Sequence, residues 1–600
     1  MSARSMARAS ARERRRRVAA AARRTAAGTA GVLGAGAVAA AGAGAATFPV
    51  TTTADAGAGS LRAAVTAANA AGGPDDVTFS GVSGRITLAS TIPITDALTI
   101  QGPGAETLTV DGDRNERIFT VGNIATADQA VTISGLRFVN GEEGEPGGAI
   151  FNGPDTLNAA ELTIADSTFL NNYAEGDGGA VYSDGGSLTV TDSTFSRNST
   201  GDKYDGGAIS VFNTDGDSPV EVTIARTTIS RNGSGSGGGV HLEDTDSGTR
   251  ITDSSITGNS ARGAAGGLFF GTGEGLVIQS SAITGNDSFE AGGGVNVYSP
   301  GLPVAIRNST IAGNLARYGG GLYLFNGTDQ QITLANSTVA GNEATAVGGG
   351  IQRLGGAGDP FTISSSIVSG NIAETAPDLS QYTPGGSTTI GNSVLGSTAG
   401  GAPLTQTPAG TNKLGVDAQL GPLADNGGPT QTMLPALSSP AVDAGVANGL
   451  ATDQRGLPRT VLQPTVALSP GSDGTDAGAA ELAAVAAPDT EVDGGKVKAK
   501  KKQKQKGGKV VVKVKAGAAE DVQVVASGSA KAGKKVKLKT VSKDVAAGKT
   551  AGLKLKASGA GAEAILERLD GGKDVKASLK VTLTDAAGNQ LKKKPKVTLK

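Results

Sequence analysis

Asn308-Ser-Thr-Ile-Ala-Gly-Asn314, followed closely by Gly319-Gly-Gly-Leu-Tyr-Leu-Phe325, is a phrase that the chain repeats. Versions of its first half end at Asn172, Asn198, Asn232, Asn259, Asn286, Asn314, Asn342 and Asn371, separated by 26, 34, 27, 27, 28, 28 and 29 residues. A short, nearly fixed period marks one structural unit used repeatedly. Within each period lie runs such as Leu162-Thr-Ile164, Val222-Thr-Ile224 and Ile332-Thr-Leu334. They are β-branched, too short for helices and bounded by Gly, Asn, Asp and Ser, so they read as strands. Three strands of about four to six residues plus three turns fill one rung of a right-handed parallel β-helix. The Leu-x-x-Leu-x-Leu spacing of a leucine-rich repeat is missing, and a WD-type blade needs about 40 residues. Rungs stack at about 4.8 Å, so equivalent residues form columns, and chemistry is to be sought in columns.

The 600 residues exceed one compact core but suit a solenoid, whose core grows with each rung. Glycine, at 93 residues, is about twice as frequent as usual, which suits tight turns and close stacking. Cysteine is absent, so neither a disulfide framework nor thiolate chemistry is available. The net charge of −1 conceals two unlike modules: residues 490–600 carry 28 Lys and Arg against 10 acids, and residues 47–489 carry 17 against 44.

The expected organisation is all-β after a leader. Residues 1–46 read as an export signal, basic from Arg12 to Arg24, then Ala/Gly-rich, ending in Ala43-Gly-Ala45. No membrane-spanning segment is expected in the mature chain, and the location is secreted or cell-surface. Residues 47–80 form an N-terminal cap in which Ser60 caps a short helix with Leu61, Ala64, Val65 and Ala68 on one face. The β-helix occupies 81–400, an irregular cap that closes the last rung 401–483, and a mobile lysine-rich linker 484–508. An immunoglobulin-like β-sandwich fills 509–600, with alternating Val/Leu and Lys and a helical turn at Glu563 to Leu569.

Three stretches resemble known families. Thr51 to Phe79, with Ser60-Leu-Arg-Ala63, resembles the CSLREA segment of bacterial surface proteins, although Gly59 replaces its cysteine and Ala63 its glutamate. The rungs resemble the pectin-lyase-like superfamily, which implies the fold and leaves activity open, since lyases, hydrolases, adhesins and inert stalks share it. Leu420 to Thr430, Ser439 to Gly445, Asp453 to Arg459 and Asp476 to Ala479, in that order, resemble the choice-of-anchor Q domain, with Met433 where that family has histidine.

Several columns are candidates for chemistry. Asp166, Asp192, Arg226 and Asp253, continued by Ser280, Asn308, Asn336 and Ser365, bring carboxylates near one another, but the mixture of side chains favours a turn position over catalysis. The Asn column reads as a structural ladder of stacked amides. Asp202, Asp205, Asp215, Asp217, Asp244 and Asp246 are acidic turns in which calcium is the cation to consider, against the plainer reading of a solvated surface. Alternation in the strand after each glycine pair turns Phe151, Tyr182, His241, Phe269 and Tyr323 outward, with Phe212, Tyr298 and Phe325 two positions on. An exposed aromatic row is a platform for sugars or, equally, a stack that protects the sheet.

No catalytic residue or cofactor is assigned. The expectation is an exported β-helix that adheres to or binds a glycan without catalysis. The alternatives are a polysaccharide lyase or glycoside hydrolase, or a passive surface component. A glycan or envelope polymer is the expected partner, the basic module is suited to anionic envelope polymers, and nucleic acid is not expected.

Overall fold

A computed structural model describes residues 45–600 apart from 123–129, 154–158, 215–218, 247, 299, 326–330, 356–359, 383–387, 401–402 and 486–488. Most of the expected leader therefore lies outside the described residues, as do Asp215 and Asp217. The chain divides into two compact units, up to Val485 and from Ala486 to Lys600.

Residues 47–395 form a parallel β-solenoid of about 11 turns. A rung has four strands, not the expected three. Glu161–Ala165, Thr168–Leu170, Tyr173–Ala174 and Val181–Asp184 belong in turn to a first, second, third and fourth sheet, of 14, 13, 9 and 11 strands. The third-sheet strand, directly after the ladder asparagine, is only 2 residues long in that rung, too short to leave a pattern of alternation.

Ile150, Val181, Ile209, Val240, Leu268, Val295, Leu322 and Ile351 are fully buried, as alternation requires. In the second sheet Phe138, Phe169 and Phe195 stack inside the solenoid, with centroids 4.7 and 4.5 Å apart. The Gly-Gly turns admit no side chain: a Cβ on Gly319, at φ +60°, would meet the Leu322 carbonyl at 2.4 Å, and one on Gly320 the next rung's Glu343 carbonyl at 2.2 Å. At the N-terminal end the helix Leu61–Ala71 buries Leu61, Ala64, Val65 and Ala68, and the Ser60 hydroxyl accepts the Ala63 N–H, as the sequence implied.

Residues 420–481 do not close the last rung. They fold back along the flank of the solenoid as a strap. Its bonds run from Ser280, whose carbonyl accepts the Thr430 hydroxyl, through Asn308 to Thr452 O and Asn336 to Val446 O, and on to Ser365 and Asn392. The irregular backbone needs polar partners, and the solenoid's turn column offers them in register.

The strap is organised by a buried charge network. Arg459 is almost fully buried and donates to Asn308 Oδ1 and to the carbonyls of Asp476, Gly478 and Ala479. Arg455 is paired with Asp453 at 2.6 Å. Glu481 accepts the N–H groups of Val461 and Asp476, and burial pushes its pKa up to about 7. Burial likewise raises Asp476 to about 6, against the hydrogen bonds from Leu482 and Asp443.

The second unit has a three-stranded sheet, a six-stranded sheet and the helix Ala560–Asp570, longer than the expected turn. Lys496–Lys498 and Lys502–Gln503, expected in a mobile linker, pair with Val511–Gly517 and Lys596–Leu599 in these sheets. Lysine alternates with only one valine there, too little apolar content to reveal a strand.

Candidate functional site: a groove along the fourth sheet

The fourth sheet sets Phe151, Tyr182, Ser210, His241, Phe269, Asn296, Tyr323 and Gln352 side by side in one outward column. Two positions on, Asp184, Phe212 and Glu243 are lateral neighbours, as are Tyr298 and Phe325. The direction agrees with the alternation in the sequence; the exposure does not. Phe212 and His241 are almost wholly buried, and Tyr182 and Phe269 nearly so, while Phe151, Tyr298, Tyr323 and Phe325 are half-buried.

The rings shield one another. Phe151 and Tyr182 stack at 5.5 Å, Phe212 meets His241 at 5.3 Å, His241 stacks on Phe269 at 4.5 Å, and Tyr298 stacks on Phe325 at 4.8 Å. The Arg117 guanidinium lies 5.0 Å over the Phe151 ring.

Beside this column the turns that lead out of the third sheet rise as a wall. Between wall and sheet runs a groove of about 790 Å³ lined by His241, Phe269, Asn296, Tyr298 and Tyr323 on one side and Tyr318 on the other. The column carries four buried polar atoms without a hydrogen-bond partner among the described residues: Ser210 Oγ, His241 Nδ1, Asn296 Oδ1 and Gln352 Oε1. Two of these residues, His241 and Asn296, line the groove, and the other two extend the column past it.

His241 Nε2 lies 3.4 Å from Glu243 Oε2. Burial works against a charged imidazole, but Asp205, the bond to Glu243 and Asp177 together raise its pKa above the ordinary histidine value. This group of residues comes from two different turns and one strand, so only the rung stacking could bring it together.

Of the turns considered for calcium, the four described acids are each engaged elsewhere. Asp202 is paired with Arg262 at 2.7 Å, Asp205 belongs to the groove, Asp244 accepts the Thr272 hydroxyl, and Asp246 accepts from Asn213 and Val220. Among the described residues, the three acids close enough to share an ion are Asp489, Glu520 and Asp585 of the second unit. Asp585 there already accepts both the backbone N–H and the side-chain amide of Asn589.

The Asn ladder is buried and continuous. From Asn172 to Asn342 each side-chain amide donates to the next asparagine's Oδ1 at 2.8–3.0 Å, and Asn371 donates to Asp378 at 2.8 Å. The N–H ends all point toward Asp378, whose carboxylate closes the row. Burial nevertheless raises its pKa, against the bonds from Asn371 and Ser397. The column from Asp166 to Ser365 holds φ between 45 and 54°, a left-handed turn position, as expected.

A further ladder escaped the reading of the sequence. Ser167, Ser193, Thr227, Ser254, Ser281, Ser309, Ser337 and Ser366 each accept through the hydroxyl from a backbone N–H of the preceding rung. The unbroken hydroxyl at the second position of the repeated phrase was its signal.

No helix among the described residues is long and apolar enough to cross a membrane. No curated protein matches the chain. The family model described as a right handed beta helix region matches residues 104–265 and 207–373, within the solenoid.

Proposed function

We propose that the groove binds a linear glycan along the solenoid axis, in an exported protein that adheres at or near the cell surface. The observation that carries this reading is the pair of buried polar atoms in the groove that have no partner among the described residues, His241 Nδ1 and Asn296 Oδ1, set beside the rings of Phe269 and Tyr323. A buried polar atom without a partner costs free energy, which a ligand hydroxyl arriving there would recover. Apolar sugar faces meet the rings, and hydroxyls meet the amides and the imidazole. Neighbouring rungs repeat these contacts at about 4.8 Å, so the surface suits a polymer better than a single small molecule.

A second reading rests on His241, Glu243 and Asp205, which place a proton-holding imidazole and two carboxylates at one edge of the groove. That arrangement suits acid–base cleavage of the bound chain. One experiment separates the readings. The full protein is screened on a glycan array, and each hit is then incubated with it and assayed for new reducing ends and for unsaturated products. Binding without products supports adhesion, and turnover supports an enzyme. Phe269→Ala, Asn296→Ala and Tyr323→Ala should each weaken binding by about 0.5–2 kcal/mol. If the triple variant binds like the wild type, the groove is not the site; if no glycan is bound, the passive-component alternative stands.

A further inference from the structure

The second unit carries a charge pattern that the groove does not explain. Residues 490–600 contain 27 lysines and 1 arginine but no aromatic residue. In its six-stranded sheet, alternation buries Val575, Ala577 and Leu579 and exposes Lys576, Ser578 and Lys580.

Register carries the exposed set across the neighbouring strands. Lys535, Lys531 and Lys576 are direct lateral partners on three adjacent strands. In the next row Lys537, Ser529, Ser578 and Lys596 follow one another across four strands, and beyond them Lys580 pairs with Ser527. The face is thus six exposed lysines over a floor of serines.

Like charges directly opposite one another on neighbouring strands repel. None of the six has a carboxylate within 4.0 Å among the described residues; the unit's ion pair joins Lys600 to Asp574. Asp574, exposed two residues before Lys576, is the acid taken up by Lys600, while Asp521, Asp544 and Asp585 gather at the opposite end of the strands, around a separate hollow. From Lys531 to Gln523, the partner of Asp544, is roughly 25 Å of strand at ~3.3 Å per residue, several screening lengths at physiological salt.

We propose that this face is a binding site for a flexible linear polyanion with repeated phosphate or carboxylate groups. Lysine presents a compact, freely rotating ammonium, suited to spaced point charges and not to planar bidentate recognition. Without aromatic rings the face has no platform for stacking bases, and with one arginine in the module it lacks the usual reader of base edges, which argues against nucleic acid. The serine hydroxyls add hydrogen bonds to anionic oxygens between the ammonium groups.

The test uses the full chain with three probes: long-chain inorganic polyphosphate, polygalacturonate and a single-stranded oligonucleotide. The variant K531Q/K535Q/K576Q is compared with K513Q/K515Q/K554Q, which removes the same charge from exposed positions of the three-stranded sheet. The first should weaken binding of polyphosphate or polygalacturonate at least tenfold and flatten its salt dependence, and the second by less than threefold. K531R/K535R/K576R should restore binding. Thermal melting of each variant should stay at or above the wild-type temperature, because the first triple removes repulsion. Equal losses for the two glutamine triples would mean that charge alone, without a site, holds the polymer. No binding of either polyanion, or tighter binding of the oligonucleotide, would overturn the proposal.

Discussion

Asn314 sits in the middle of the amide ladder, and removing its side chain tests how much the ladder holds. Its Oδ1 accepts the backbone N–H and the side-chain amide of Asn286, both at 2.9 Å, while its own amide donates to Asn342 Oδ1 at 2.8 Å and to the Ile283 carbonyl at 2.9 Å. In Asn314→Ala, Asn286 Nδ2 keeps the Ile256 carbonyl and Asn342 Oδ1 keeps the Asn314 N–H, but the Asn286 N–H is left with no replacement. One orphaned buried donor costs about 1–3 kcal/mol, and the three other lost bonds about 1 kcal/mol each, so the expected loss is about 4–6 kcal/mol. Urea unfolding gives the total, and hydrogen exchange locates it: amides of the rungs around Asn286 and Asn342 should lose protection before those near Asn172. Asn314→Asp keeps the acceptor and loses the donor, and it buries a charge. Its deficit should therefore shrink on acidification, when the protonated carboxyl donates to Asn342 Oδ1. A loss below about 1 kcal/mol for Asn314→Ala, or an acid-insensitive Asn314→Asp, would refute the view that the ladder acts as a cooperative hydrogen-bond chain.

The strap gives two further expectations. Because the folded-state pKa values of Glu481, about 7, and Asp476, about 6, lie above the ordinary values of 4.5 and 3.8, the folded strap binds protons more readily than the unfolded chain. Its stability should be fullest below about pH 4 and decline as pH rises through 6 to 7; denaturation across that range should show the slope, and Glu481→Gln should reduce it. Arg459→Met leaves the carbonyls of Asp476 and Gly478 without their donor, takes a donor from Asn308 Oδ1 and leaves Glu481 without its cation, while the Ala479 carbonyl keeps the Gln454 N–H, so about 3–5 kcal/mol of strap stability should be lost. Protease cleavage within 420–481 should then appear at temperatures where the solenoid is still folded, and unchanged resistance would count against the network as the strap's fastening.

Periodicity made the solenoid legible, because a rung must present the same residue types at the same positions to stack. The Asn column and the inward Ile150-to-Ile351 column could thus be placed residue by residue. The groove could not, because its wall is built from turns whose sequence differs from rung to rung, and alternation gives only the direction of a side chain. His241 points outward and is nonetheless buried between Phe212 and Phe269.

The strap's position had a signal in the sequence. The turn column changes from Asp166, Asp192, Arg226 and Asp253 to Ser280, Asn308, Asn336 and Ser365 where cover begins. Ile367 and Val394 also replace the Thr, Ser and Ala of earlier rungs on the second sheet's outer face, and they pack with Ala418, Ala441 and Ala477. Charges cannot be covered without partners, and short neutral side chains can, so the change in the column marks where another segment lies.

The strap also governs how the solenoid would carry a load. A bare stack of rungs pulled at its end peels open one rung at a time, each yielding before the next is stressed. Here the chain leaves the last rung, runs back and is fastened at Asn336, Asn308 and Ser280 before it continues beyond Val485. Tension arriving from the C-terminal side therefore enters at the strap's end, held by Arg455 and Arg459, and is shared in shear across several rungs at once. The final rungs are spared, and the tether can hold a force that would unzip them singly.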